Sequence, residues 1–374
     1  MILGVSAEQE ELRASVRRFL ADRAPMSRVR ELMDDGETDW TVWEQAGSQL
    51  GLQGLAIPES YGGAGFSFAE QAVVLEEFGA ALYGGPYLAS AVLAATALLA
   101  SPDEGARRGL LPDIASGQTV ATLAFTEDGG SWDPAAIRLS ATKDGPGLNG
   151  AWQLDGHKSF VLDGATAGLI LVIAATDAGL SLFAVEGDAD GLSRAALPAL
   201  DQTRQLARLE FAGVTGRLIG SPGDGAAALD RALDVAAVAL AAEQLGGAQR
   251  ALDMAVEYAK TRRQFDRPIG SFQAIKHRCA DLLLEVESLR SAVGYAAAAV
   301  AEDSAEIPVL ASLVKAYASE TYFHVAAENI QIHGGIGFTW EHDAHLYFKR
   351  AKASELFLGD GAYHRERLAN RIGL

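Results

Sequence analysis

The spacing of apolar positions changes character twice along the chain. From residue 7 to about 118 it is helical, with Leu12, Val16, Phe19 and Leu20 recurring among charged residues. Punctuation follows at Ile57-Pro58 and at Gly62-Gly63-Ala64-Gly65. Two further helices are predicted over Phe66 to Gly79 and Gly85 to Leu99. The second is apolar on nearly every side, which predicts burial. From about 119 the runs shorten and become rich in β-formers: Thr119 to Phe125, Gly168 to Ala174 and Leu180 to Val185, parted by Gly or Asp turns. They predict a mainly antiparallel β domain. After Gly220 to Gly225, three long helical stretches run from about Ala226 to Lys260, Phe272 to Glu302 and Pro308 to Ile332. Such lengths predict a helix bundle. The expected organisation is α+β, with a helical domain over 1–118, a β domain over 119–223 and a bundle over 224–374.

Composition narrows the functional classes. A chain of 374 residues, 49% apolar, can bury a large core. A net charge of −18 argues against nucleic acid or an anionic membrane as partner. An anionic ligand would need Arg or Lys placed locally. Cys279 is the single cysteine, so no intramolecular disulfide forms and a cytoplasmic location is expected. Met1 to Leu20 is amphipathic and charged, unlike a signal peptide. The apolar runs at 88–100 and 235–242 fall short of the ~18 residues a membrane span needs.

Four stretches carry the candidate chemistry. They are LQGLAIPESYGGAG from Leu52, TEDGGSWD from Thr126, RRQFDRPIGSFQ from Arg262, and QIHGGIG from Gln331. Arg262 and Gln273 flank a Pro-Ile-Gly turn, and a guanidinium offers several donors to a pyrophosphate. Solvated helix-end charges are the plainer alternative. The glycines after Gln331 allow close backbone approach, or simply cap a helix. His333 has no second His or Cys at ligand spacing, so no metal site is expected.

In this order and spacing the four stretches resemble the acyl-CoA dehydrogenases along nearly the whole chain, which implies that family's fold, with a barrel-like antiparallel β domain in the middle and a four-helix bundle at the C-terminal end. The resemblance implies an FAD enzyme that dehydrogenates an acyl-CoA thioester between Cα and Cβ. A carboxylate takes the α-proton and the β-hydride leaves to flavin N5. It implies that Phe125, Thr126, Ser131 and Phe160 lie near the flavin or substrate. Arg262, Phe265, Gln273, Gln331 and Gly335 would reach the FAD of a neighbouring subunit, and Asp360 is counted with these contacts. It further implies an electron-transfer flavoprotein or similar acceptor, and a homotetramer or an α2β2 heterotetramer with a related chain.

The chain departs from that pattern where chemistry is concentrated. The Tyr-Glu-Gly-Thr motif that carries the family's base aligns with Phe357-Leu358-Gly359-Asp360. Leu358 retains a backbone N–H to polarise a thioester carbonyl but has no carboxylate. The base position used by some relatives aligns with Ala236, which is empty as well. Glu243 is the one carboxylate between Val235 and Gly247, seven residues beyond Ala236 and on roughly the same helix face. A lone carboxyl in so apolar a segment would have a raised pKa suited to a base. Pairing with an arginine is the plain alternative, and Asp234 and Asp360 are weaker candidates. Leu162 stands where the family has a hydroxyl for flavin N5, and Asp128 replaces a proline. Three readings follow: a dehydrogenase with its base relocated to Glu243, a half-site subunit completed by a related chain, or a flavin oxidase or monooxygenase on the same fold.

Overall fold

The computed structural model describes residues 6–143 and 151–374. The first five residues of the N-terminal reading, and 144–150 of the β segment, lie outside them. Two compact units emerge, and they cut across the three consecutive segments. One comprises residues 1–31, 68–83 and 237–374, and the other 32–67 and 84–236.

The first unit is helical. It contains α1 (Ala7–Arg23), α4 (Phe68–Ala80), most of α7 (Gly225–Thr261), α8 (Gln273–Ala301), α9 (Ile307–His333), α10 (Ala344–Leu356) and α11 (Gly361–Arg371), with the first residues of α2 (Met26–Asp35). A reciprocal capping box between Ser6 and Gln9 starts α1, and Glu8 and Glu10 complement its dipole. The helices enter one unit because buried charge and close backbone contact tie them together. Arg13 reaches Glu76 at 2.8 Å and Glu77 at 3.2 Å, joining α1 to α4. Arg290 on α8 reaches the same Glu76, and Gln249 on α7 at 2.7 Å.

Where α4 crosses α7 the backbones touch. A Cβ built on Gly246 would overlap the Glu76 carbonyl, and one on Gly79 would overlap that of Glu243. Gly246→Ala is therefore expected to destabilise the protein by about 1–3 kcal/mol, since main chain cannot move aside as a side chain can. Gly294→Ala, exposed in α8 with open space about it, is expected to stabilise by roughly 0.5–1 kcal/mol. Urea denaturation of the two variants should give shifts of opposite sign.

The second unit holds α3 (Trp40–Leu50), α5 (Ala95–Ala100), α6 (Glu104–Ala115) and the β domain. The apolar stretch expected as one helix is a wholly buried π-helix over Leu88–Ala94 that runs on into α5. The LQGLAIPESYGGAG stretch folds back on itself, with Ala64 N–H donating to Gly54 O and Gly65 N–H to Ile57 O. The strands are β1 (Ala121–Ala124), β2 (Ser140–Lys143), β3 (Trp152–Leu162), β4 (Leu169–Thr176), β5 (Gly179–Glu186), β6 (Leu192–Leu197) and β7 (Leu206–Ile219). β4, β2, β3, β7 and β5 pair in that order, and β5 pairs back to β4, which closes the sheet. Most pairs are antiparallel, but β1 and β2 both run parallel to β4. Closure removes the free edges that five short strands would otherwise expose.

Candidate functional site

In the β domain, the signature loop is built onto an irregularity in β3. The β3–β7 register shifts between Lys158 and Val161, and Phe160 there adopts a left-handed φ of 58°. The bulge turns Ser159 toward the strand-to-loop junction. Ser159 N–H donates to Thr126 O at 2.9 Å, and Thr126 Oγ1 donates to Ser159 O at 2.6 Å. The Thr126 hydroxyl proton is thereby committed, leaving its lone pairs to accept. Beneath the loop, the fully buried Lys158 ammonium donates to Phe125 O and to Glu127, and burial lowers its pKa to about 8.

The departures in this loop have structural partners. Asp128 receives two donors from Arg208, at 3.0 and 3.1 Å, and one from the Ser159 hydroxyl, with His157 at 3.2 Å. These bonds, Arg208 first, hold its carboxyl down near 2 although it is half exposed. A proline at 128 would stiffen the loop; the aspartate pins it instead. Trp132 packs on Phe125 with ring centroids 5.9 Å apart. Ser131 is exposed, and its hydroxyl accepts from Asp133 N–H. Leu162 is buried and offers no hydroxyl.

In the helical unit, two of the sequence-predicted segments come together over one small core. Ile332 packs with Ala255 and Ala259, and Tyr258, Ile269, Ile275 and Cys279 pack around them. Tyr258 stacks on His333 at 4.2 Å. This core seats the end of α9 against the joint between α7 and α8. Arg262, Gln273, Gln331 and Gly335 all lie exposed above it. A Cβ on Gly335 would meet nothing within 4 Å, so the backbone there is open to approach.

The joint is a two-residue hairpin between β8 (Arg263–Gln264) and β9 (Arg267–Pro268). Phe265 and Asp266 form its tip with φ of 51° and 60°. Two left-handed residues make a type I′ turn, which favours Gly, Asn or Asp. Asp266 suits it. Phe265 does not, and its ring is 86% exposed. An aromatic held at a conformational cost and left in solvent is a mark of use rather than of folding.

The segment after α10 is equally constrained. Leu358 is 4% exposed with φ 62°, and Gly359 follows at φ 103°. Asp360 caps α11, one carboxylate oxygen accepting Tyr363 N–H at 2.8 Å. Lys315, fully buried, donates to Gly359 O at 3.0 Å and Glu355 O at 3.2 Å. His364 Nε2 lies 2.9 Å from Leu358 O. In the sequence, His364 stands in the run Tyr363-His364-Arg365, readable as a small polar cluster with Asp360 or as ordinary helix-end charges; Lys315 did not stand out, and a lone cation in the apolar run from Val309 to Ala318 was its one available signal.

Glu243 is buried as expected, but it is not a lone carboxyl. Arg350 on α10, 2% exposed, donates to its Oε1 at 2.6 Å. The plain alternative is what the fold realises, because one turn of α10 delivers a guanidinium to this point of α7. Among the described residues no group of three or more His, Cys, Asp or Glu converges as a metal site would require. No helix of the described residues is long and apolar enough to cross a membrane.

Comparison with known proteins agrees with the geometry. The family models for the acyl-CoA dehydrogenase N-terminal, middle and C-terminal domains match residues 6–118, 122–214 and 223–373. The chain is 37% identical over 352 residues to the acyl-CoA dehydrogenase IpdE2 of Mycobacterium tuberculosis, covering 94% of this chain and 93% of that protein. It superposes on a chain of the Tcur3481–Tcur3483 steroid ACAD with a TM-score of 0.88 and 34% identity, covering 99% and 98% of the two chains. For the ChsE4–ChsE5 complex from Mycobacterium tuberculosis the TM-score is 0.89 at 30% identity, covering 100% and 99%.

Proposed function

From the premise that this chain belongs to the acyl-CoA dehydrogenase family, whose members depend on FAD, we propose that it is the half-site subunit of a two-chain acyl-CoA dehydrogenase. The reading rests on one observation: Arg350 engages Glu243, the first candidate for a relocated base, while a leucine, Leu358, stands where the resemblance puts the usual one. To act on a substrate, Glu243 would have to give up a buried ion pair, which is costly because the guanidinium would be left uncompensated. Two of the solved structures it resembles are named as pairs, Tcur3481–Tcur3483 and ChsE4–ChsE5, and the first is a steroid ACAD. A steroid-linked acyl-CoA is accordingly the proposed substrate class.

The residues present fit the cofactor at its pyrophosphate end. Arg262 supplies a guanidinium, Gln273 and Gln331 supply carboxamides, and the open backbone at Gly335 admits close approach. Bound FAD supplies the acceptor for the β-hydride. At its ring end the chain offers less, since Leu162 cannot donate. In this reading the hairpin and the turn after α9 serve the FAD carried by the neighbouring chain. Leu358 contributes its N–H to the thioester carbonyl, and the neighbour supplies the base.

A second reading keeps Glu243 as the base, supported by its burial in the apolar part of α7. It requires Arg350 to release the carboxylate. The test is to produce the chain alone and together with a related acyl-CoA dehydrogenase chain from the same genome, and to measure flavin per chain and acyl-CoA-dependent dye reduction. Turnover is expected from the pair alone, and Glu243→Gln in this chain should leave kcat of the folded pair within about threefold. A lone chain with full flavin, active until Glu243→Gln abolishes it, would overturn the half-site reading.

A further inference from the structure

The turn that carries Leu358 is more constrained than a base-free turn needs. A leucine in the left-handed region is strained and persists only where its surroundings over-determine it. Here both carbonyls that flank the Leu358–Gly359 peptide and its successor are held by buried side chains. His364 Nε2 is at 2.9 Å from Leu358 O, and Lys315 Nζ is at 3.0 Å from Gly359 O. Lys315 is itself fixed by Ser319 Oγ at 2.9 Å, which also accepts from Gln244 Nε2 at 3.3 Å. Burial pushes the His364 imidazole down to about 3, so it is neutral and carries one ring proton. A carbonyl only accepts, so that proton is on Nε2. The Nδ1 atom of the same ring is buried without a partner.

The neighbouring N–H groups are used up within the turn. Phe357 N–H donates to Ala353 O and Gly359 N–H to Leu356 O. Leu358 N–H donates to no group among the described residues. A buried N–H without a partner is uncommon, and here it immediately precedes two carbonyls locked in place.

We propose that Lys315 and His364 are positioning residues: by gripping the carbonyls of Gly359 and Leu358 they hold Leu358 left-handed and keep its N–H as a ready donor for the thioester carbonyl of an acyl-CoA. The inference rests on the reading of this chain as part of an acyl-CoA dehydrogenase site. It adds the side chains that hold that donor rigid. A fixed donor needs no reorganisation as charge develops on the oxygen, which is where its advantage lies.

The test uses the assembled, flavin-loaded pair and crotonyl-CoA carrying a carbon-13 carbonyl, read by isotope-edited infrared difference spectroscopy. The wild-type pair should move the carbonyl stretch to lower frequency. His364→Phe, which has no donor, should return it toward the free thioester value and lower kcat about 10- to 100-fold, with KM changed less than about threefold. His364→Gln retains an amide donor and should keep most of the shift. Lys315→Met should follow His364→Phe wherever it folds. A His364→Phe pair with the wild-type frequency and kcat would reduce both residues to helix caps and sink the inference alone. A wild-type pair that leaves the carbonyl unshifted would overturn the inference and the functional reading together.

Discussion

Arg350→Met is expected to cost about 3–5 kcal/mol of folding stability, because it leaves the buried Glu243 carboxylate without its guanidinium. Both side chains are nearly inaccessible, and the 2.6 Å contact links α7 to α10. Taking two charges out of water is expensive, and their mutual attraction offsets that expense only while both remain. The double variant Glu243→Gln with Arg350→Met should recover most of the loss, since a neutral amide and a thioether of similar volume are far cheaper to bury. Urea midpoints at unchanged slope would measure the cycle. If Arg350→Met fell within about 0.5 kcal/mol of wild type, the pair would not be what holds Glu243, and the case against it as a base would weaken.

Phe265→Gly and Arg262→Ala are expected to separate folding from cofactor capture. Glycine relieves the left-handed strain at the hairpin tip, so the lone chain should become more stable by up to about 1 kcal/mol. The same change removes a ring that is 86% exposed in the isolated chain and is proposed to pack on a neighbour's FAD. Arg262→Ala removes a charged donor worth about 1.5–3 kcal/mol to a pyrophosphate, or roughly 10- to 150-fold in flavin affinity. Flavin titration of the assembled pair and thermal unfolding of the lone chain should therefore move in opposite directions for Phe265→Gly. If flavin affinity were unchanged in both variants, the hairpin would not be a cofactor contact.

Much of the fold was legible because hydrophobic period is a local signal. The three long helices expected from about 226, 272 and 308 begin at Gly225, Gln273 and Ile307. The run from Gly168 to Ala174 became β4, since a fully buried strand reads as continuous apolar sequence. Sheet closure was expected only through the family resemblance and not from the runs themselves, because it depends on β4 pairing with β1, β2 and β5 at once, and no window of sequence records that. The polar stretch from Trp152 to Lys158 gave no clear strand signal, yet it forms much of β3 because β7 pairs along it. In the site, Gln331 to Gly337 was visible as a motif. The partner of Glu243 was not, for Arg350 lies 107 positions away and its own helix reads as ordinary charged surface. The roles of Lys315 and His364 were hidden for the same reason: each acts on a main-chain carbonyl, and main chain has no letter of its own.

The helical unit is assembled from three separated stretches of chain, and this has a consequence for how the protein is made. Residues 68–83 leave the ribosome well before residue 237. At ordinary elongation rates the interval is on the order of ten seconds. Throughout it, α1 and α4 are present but the backbone groove on α7 that receives Gly79 does not yet exist. The nascent chain must carry apolar helix faces through that gap, which makes this stage of synthesis the one at which a holding chaperone has most to protect. Fragments cut at the boundaries of consecutive segments would inherit the same exposure permanently.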